Sequence, residues 1–271
     1  MLDQVKSADL HYDDQGRLTE GVTEIGMLDE VSAKYVRCNT WRDSNAEAAV
    51  GDVGVVLFTG GEDISPTLYY SPEPWHGIEA EIDYNAERDV SDDLTMSYCL
   101  DCDIPVMGFC RGNQMLAVLS GGEMIQDIPT YFDSQSLEYR FQHRNEKSSP
   151  EAYRDYAPHE VQVAAGSRLY GILGMEKLTG CPSWHHQAVK NVDHTRLAVT
   201  GTTDTNGIPM IEALERRDKT FALGIQFHPE AALVKHLDHA DNADSFMDYD
   251  TALAFFQQIV QIASVPQQKA A

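Results

Sequence analysis

The sequence predicts an α/β fold, a mostly parallel sheet with helices on both faces, and three observations predict it. Continuous apolar runs of strand length alternate with helix-like segments. The clearest runs, residues 53–58, 104–109 and 221–227, lack the polar alternation of a half-exposed strand and read as buried on both faces. A length of 271 residues is near the upper end for one core, and no long polar linker divides it, so residues 1–271 read as a single domain.

Taken in order, residues 1–30 are polar and acidic with no evident strand; either residues 22–27 supply an opening strand or that sheet edge is remodelled. Strands are expected near residues 34–38, 53–58, 105–109, 161–164, 197–200 and 221–227. Helices are expected over residues 80–99, 113–119 and 249–263. In the last, Leu253, Phe256, Ile259, Val260 and Ala263 recur at helical spacing and predict the face that packs on the sheet. Residues 134–156, charged and containing His143 and Arg144, read as a loop over the active site or as a surface excursion. Residues 265–271 read as a frayed tail.

The most informative stretch is Gly108-Phe109-Cys110-Arg111-Gly112-Asn113-Gln114. A strand-like run passes into a helix-like run through Cys110, with a glycine two residues to either side. That is the spacing of a nucleophile elbow, where small neighbours let the backbone turn sharply and push the nucleophile outward. A helix N-terminus favours thiolate, which suits Cys110 to attack; the plainer reading is a buried structural cysteine.

A cysteine nucleophile needs a base, and the base needs a partner that orients it. The run at 221–227 delivers His228-Pro229-Glu230. Side chains two apart on an extended backbone point the same way, so His228 and Glu230 can share a pocket. The run at 53–58 ends in Gly60-Gly61, at the edge where open parallel sheets bind ligands. The N–H groups of Gly61 and Arg111 are the candidate oxyanion hole, although Gly60-Gly61 also reads as a plain tight turn.

Together these residues resemble the class I glutamine amidotransferase-like superfamily with its Cys-His-Glu triad. Within it they are most similar to the γ-glutamyl peptidases, the group that includes γ-glutamyl-γ-aminobutyrate hydrolase. Four further segments carry the closer resemblance: Gly60-Gly61-Glu62-Asp63-Ile64-Ser65-Pro66-Thr67-Leu68-Tyr69, Glu87-Arg88-Asp89, His159-Glu160-Val161-Gln162-Val163, and Ser183-Trp184-His185-His186-Gln187-Ala188-Val189-Lys190.

The resemblance implies a three-layer, doubly wound, flavodoxin-like class I amidotransferase fold. It implies a hydrolase for an amide on the γ-carboxyl of glutamate. Cys110 would attack, His228 shuttle the proton, Glu230 orient His228, and water release glutamate from a γ-glutamyl thioester. It implies that Gln114, Ser183, Trp184 and His185 contact substrate, with His186 either a second contact or a structural histidine. Arg111 would act through its backbone, its side chain making a structural ion pair. That chemistry calls for no cofactor and no metal. The alternative is a glutaminase component that passes ammonia to a separate ligase; a further one is a binding protein with a silent triad.

A net charge of −23 argues against nucleic acid, because a polyanion needs a basic face. It favours, weakly, an amine or polyamine leaving group on a small γ-glutamyl substrate. No stretch is apolar enough to cross a bilayer, and the first residues lack a signal-peptide layout, so a cytoplasmic protein is expected. Its five cysteines should then be reduced. Cys99 and Cys102 have redox or half-zinc-site spacing but lack a second pair. His236, Asp238, His239, Asp241 and Asp244 offer metal-ligand chemistry, although a polar run of this kind is usually a solvated loop. A homodimer is left open.

Overall fold

The computed structural model describes residues 11–12, 18–20, 41–69, 85–139, 143–146, 148–149 and 154–264. Along the chain these form β1 (His11–Tyr12), β2 (Leu18–Glu20), α1 (Ala46–Val50), β3 (Val56–Phe58), α2 (Ala86–Asp101), β4 (Val106–Phe109), α3 (Arg111–Leu119), β5 (Glu123–Ile125) and α4 (Ile128–Ser134). There follow β6 (Ala157–Val163), α5 (Arg168–Leu173), β7 (Lys177–Ser183), β8 (Ala188–Asn191), β9 (Leu197–Thr205), β10 (Ile208–Arg216), β11 (Ala222–Ile225), α6 (Pro229–Leu237) and α7 (Tyr249–Ala263). The strand predicted at residues 34–38 and the alternative opening strand at 22–27 lie outside the described residues, as does the start of the helix predicted from residue 80.

The fold is α/β. β3, β4 and β11 run parallel and adjacent, Val56 and Ala222 both opposite Val106. β10, β9, β6 and β7 extend the sheet beyond β11 by antiparallel pairing, and β8 joins β10 to β5. The expected parallel arrangement is that of the three strands that carry the site. β1 and β2 pair as a separate ribbon.

The pleat of β4 explains the layers. Val106 points into a core shared with Leu94 of α2 and Leu116 of α3. Met107 and Phe109 point the other way, to a core with Ala232 of α6 and Phe255 of α7. Helices therefore cover both faces, and every residue of β4 is buried, as its unbroken apolar run requires. Each such side chain contributes about 1.5–3 kcal/mol of burial.

Two sequence expectations are corrected here. The buried face of α7 is built on Ala252 and Phe255, with Phe256, Ile259 and Ile262 packed beside them, while Val260 is exposed. β10 was not anticipated, because Glu212, Glu215 and Arg216 interrupt its apolar pattern although all are buried. Among the described residues no helix is long and apolar enough to cross a membrane.

Candidate active site

Cys110 caps α3 at φ 49° and ψ −100°, a region that costs a non-glycine residue about 1–3 kcal/mol. The surrounding chain holds it there. Its amide donates to the Ile225 carbonyl at 2.8 Å, and the Gln114 amide donates to the Cys110 carbonyl at 3.2 Å. A methyl on Gly108 would lie 2.5 Å from the Gly112 carbonyl carbon, and one on Gly112 would lie 2.4 Å from the Phe58 oxygen. The elbow closes only with glycine at both places. Cys110 lines a cavity of about 910 Å³, and the Gln226 amide donates to its sulfur at 3.5 Å.

β11 stops at Ile225, and His228 caps α6 with Pro229 at the first helical position. His228 and Glu230 therefore meet across a helix turn, not along the extended backbone that the sequence suggested. The contact is close: His228 Nδ1 lies 2.6 Å from Glu230 Oε1. His228 Nε2 is buried and has no hydrogen-bond partner among the described residues. Burial pulls the imidazole down, but the Cys110 sulfur and the Glu230 carboxylate outweigh it and lift His228 to about 10. His228 holds its proton at neutral pH.

The Gly60-Gly61 turn is pressed against this pair. A methyl on Gly60 would lie 2.8 Å from His228 Cε1 and 3.4 Å from Cys110 Cβ. Gly61 adopts φ 148°, and a methyl there would lie 1.9 Å from Arg88 Nη1. Arg88 reaches from α2 to fix the turn. Its Nη2 donates to the carbonyls of Thr59 at 3.0 Å and Gly60 at 2.8 Å, and its Nη1 donates to Glu62 at 3.1 Å. The sequence offered Arg88 only inside the Glu87-Arg88-Asp89 resemblance, with no role.

Arg111 opens α3, so its amide is one of the donors that a helix N-terminus leaves unpaired. Its guanidinium turns away, buried in ion pairs with Asp89 and Asp92 of α2. Asp89 also accepts from the Ser65 amide at 3.0 Å. Burial raises Asp89 to about 6 against the pull of Arg111.

The remaining predicted contacts separate. Gln114, Trp184, His185 and His186 line the cavity. Gln114 Nε2 donates to the Gln187 carbonyl at 3.2 Å. Trp184 is 37% exposed, and its indole N–H donates to the Arg154 carbonyl at 2.8 Å. His185 Nδ1 meets the Gln187 carbonyl at 2.7 Å, and burial holds His185 well below its ordinary value.

His186 is clamped between Asp63, 2.9 Å from Nε2, and Asp127, 3.1 Å from Nδ1. Burial opposes its charge, but the two carboxylates raise it to about 8. Both ring nitrogens are occupied, which is the structural alternative for this residue. Ser183 does not line the cavity; its hydroxyl is fully buried and donates to the His143 carbonyl at 3.0 Å. Its place on the inward face of β7 makes it a brace for the chain at His143.

Arg144, Arg154 and Tyr156 line the cavity from the segment expected to cover it. The Tyr156 ring stands edge-on to His228, 5.2 Å between centroids. Cys99 is buried and Cys102 exposed, both as free thiols. In the run of candidate metal ligands that begins in the last turn of α6, His236 bonds the Met247 carbonyl at 3.0 Å. Among the described residues that run forms no metal-binding group.

The model of the peptidase C26 family matches residues 35–230. Protein NtpR of Enterococcus hirae is 31% identical over 199 residues, covering 73% of this chain and 73% of that protein. Gamma-glutamyl-gamma-aminobutyrate hydrolase PuuD of Escherichia coli (strain K12) is 30% identical over 178 residues, covering 65% of this chain and 63% of that protein. A glutamine amidotransferase-like protein of Rickettsia prowazekii is 28% identical over 204 residues, with 65% and 70% covered.

Proposed function

The chain belongs to the peptidase C26 family, and from that premise we propose that it is a cysteine-dependent hydrolase of γ-glutamyl amides. The observation that carries this reading is the division of labour on one ring. His228 has Nδ1 held by Glu230 and Nε2 buried without a partner, beside a strained cysteine that opens onto a large cavity. Relatives named gamma-glutamyl-gamma-aminobutyrate hydrolase support the choice of scissile bond.

In the proposed reaction the Cys110 sulfur attacks the γ-carbonyl carbon, and the carbonyl electrons move onto oxygen. The amides of Gly61 and Arg111 stabilise that oxygen, a contribution of about 2.7–4 kcal/mol for each donor of this kind. As the tetrahedral centre collapses, the C–N bond breaks and the His228 proton passes to the departing nitrogen. Water then attacks the thioester and gives its proton to His228. Glutamate leaves, and the sulfur returns as thiolate. Glu230 keeps the imidazolium oriented in both halves. Gln114 and His185 border the glutamyl end; Trp184 borders the leaving-group end.

The test is glutamate release from a panel of γ-glutamyl amides, with glutamine as one member, by the purified protein alone. Release from an amide with an amine leaving group is the expected result. Best activity on glutamine, stimulated by a partner, would instead assign the chain to the ammonia-donating class.

A further inference from the structure

Behind the cavity wall lies a second polar cluster that the proposed hydrolysis does not use. It joins His143, His159 of β6 and Glu212 of β10, all buried, Glu212 completely. His143 Nδ1 lies 3.2 Å from Glu212 Oε1, and His159 Nε2 lies 3.6 Å from Glu212 Oε2. Neither carboxylate oxygen nor His159 Nε2 makes a hydrogen bond with a described residue. A buried carboxylate without aligned donors is costly, and native interiors rarely leave one so.

The hydrogen bonds around the cluster determine which atoms bear lone pairs. His159 Nδ1 faces the Glu160 carbonyl at 3.1 Å and must donate there, so Nε2 points at Glu212 as an acceptor. His185 Nδ1 likewise donates to the Gln187 carbonyl, leaving its Nε2 as the acceptor facing His143 Nδ1 at 3.2 Å. His143 Nε2 lies 2.9 Å from the Thr205 hydroxyl, which can give or take a proton. In the metal-free chain His143 Nδ1 is then the donor to His185 Nε2. Because Thr205 can accept as well as give, an ion can displace that proton, with the ring's proton held on Nε2 and the Nδ1 lone pair turned toward Glu212. Acceptors then converge from three sides on one small volume.

We propose that His143 Nδ1, His159 Nε2 and the Glu212 carboxylate bind one divalent transition metal ion of the zinc class, as a structural site. The three residues each offer a ligand atom within 4.8 Å of the others. The contacts of 3.2 and 3.6 Å lie close to the edge of a tetrahedron with zinc bonds of about 2.0–2.1 Å. Two imidazoles and one carboxylate select zinc and its neighbours over magnesium or calcium. The outer partners are in place: Thr205 and the Glu160 carbonyl fix the two rings. An ion here would tie β6 and β10 to the chain at His143, whose carbonyl accepts from Ser183 and from the His185 amide at 2.9 Å. It would brace the wall that presents His185 to the cavity, and it stands whether or not the hydrolase reading does.

The test is metal content in a Cys110→Ala background, which removes the active-site thiolate as a competing ligand. After dialysis against micromolar zinc and then metal-free buffer, atomic emission should find one zinc per chain. His159→Gln and Glu212→Gln should each weaken binding by at least about tenfold, at the lower end of ligand-shell effects. Should those variants fail to fold, X-ray absorption on the zinc-loaded parent decides. Nitrogen and oxygen neighbours at about 2.0–2.1 Å support the site, and a sulfur neighbour at about 2.3 Å, from Cys181 or another thiol, overturns it. Zinc no higher than trace, or binding that survives both substitutions, also overturns it; Glu212 then meets its burial by taking a proton.

Discussion

Glu230 Oε1 lies 2.6 Å from His228 Nδ1, across the first turn of α6. Because Nδ1 is taken, Nε2 is the only ring nitrogen available to the sulfur and the substrate. His228→Asn removes proton transfer altogether and should lower kcat/KM by about 10²–10⁴-fold, the range for a positioned acid–base group. Glu230→Gln leaves the base and loses its orientation, and should be the milder of the two changes. Steady-state kinetics, with circular dichroism to establish equal folding, check both. Equal losses would mean that Glu230 does more than orient.

The pH profile follows from the same pair. His228 is raised to about 10, so it is protonated below that pH and loses its proton as pH rises through it. The acid form must protonate the departing nitrogen. The alkaline limb of kcat/KM should therefore fall near pH 10, well above the ordinary histidine range. Glu230→Gln removes one of the groups that raise His228 and should move the limb to lower pH. A limb that stays in place in the variant would separate it from His228.

Gly61 and Arg88 test the oxyanion hole. Gly61→Ala puts a side chain at φ 148°, which L residues rarely adopt, and its methyl 1.9 Å from the Arg88 guanidinium. The backbone strain shifts the turn and its amide, and displacing Arg88 loosens the group that ties it. A fall in kcat of about 10²-fold, with KM changed far less, is expected for loss of one oxyanion donor. Arg88→Met unties the carbonyls of Thr59 and Gly60 and should act in the same direction. A loss confined to KM would place the turn in ground-state binding instead.

The elbow was legible because its two glycines flank Cys110 in a short stretch of chain. Gly108 is demanded within that stretch, 2.5 Å from the Gly112 carbonyl carbon, whereas Gly112 is demanded by β3, 2.4 Å from the Phe58 oxygen. The pairing of His228 with Glu230 was legible as proximity but not as geometry, since Pro229 starts a helix that the strand pattern masks. Arg88 and Glu212 were not legible as parts of a site. Each is a charge whose partners come from distant segments, Thr59 and Gly60 for the one, His143 and His159 for the other. A buried acid inside a strand also breaks the apolar pattern by which strands are read, which is why β10 went unseen. β7 was hidden by Gly180 and Pro182, residues that usually mark turns.

Cysteine reactivity separates exposure from activation. Among the described residues Cys102 is the exposed thiol, whereas Cys110 is only 5% exposed. Burial and the neighbouring Asp101 and Glu47 raise Cys102, and burial pushes Cys99 up to about 12. Cys110 instead sits at a helix N-terminus beside protonated His228. Iodoacetamide should therefore label Cys110 first, with activity lost in step, as peptide mass spectrometry can follow. Faster labelling of Cys102 with parallel loss of activity would remove Cys110 from the role of nucleophile.

Substrate choice is the last and most discriminating prediction. A cavity of about 910 Å³ exceeds what glutamine alone would fill, and its lining includes Trp184, Tyr156, Arg144 and Arg154. The volume left once a glutamyl group is seated is open to what lies beyond the scissile nitrogen. A γ-glutamyl amide with an amine leaving group should therefore show kcat/KM at least about tenfold above that for glutamine, roughly 1.4 kcal/mol of extra transition-state binding. Trp184 is half exposed in this lining, so Trp184→Ala should lower kcat/KM for the amide by about the same factor while leaving glutamine nearly unaffected. The amide panel should include leaving groups with a free carboxylate and with a free amine. The acidic chain favours the amine, whereas Arg144 and Arg154 at the wall favour the carboxylate. Short-range guanidinium contacts outweigh a screened net charge at physiological ionic strength, so the carboxylate-bearing amide should be the better of the two. Glutamine outperforming both, or equal losses on all substrates in Trp184→Ala, would remove the leaving-group end from selectivity.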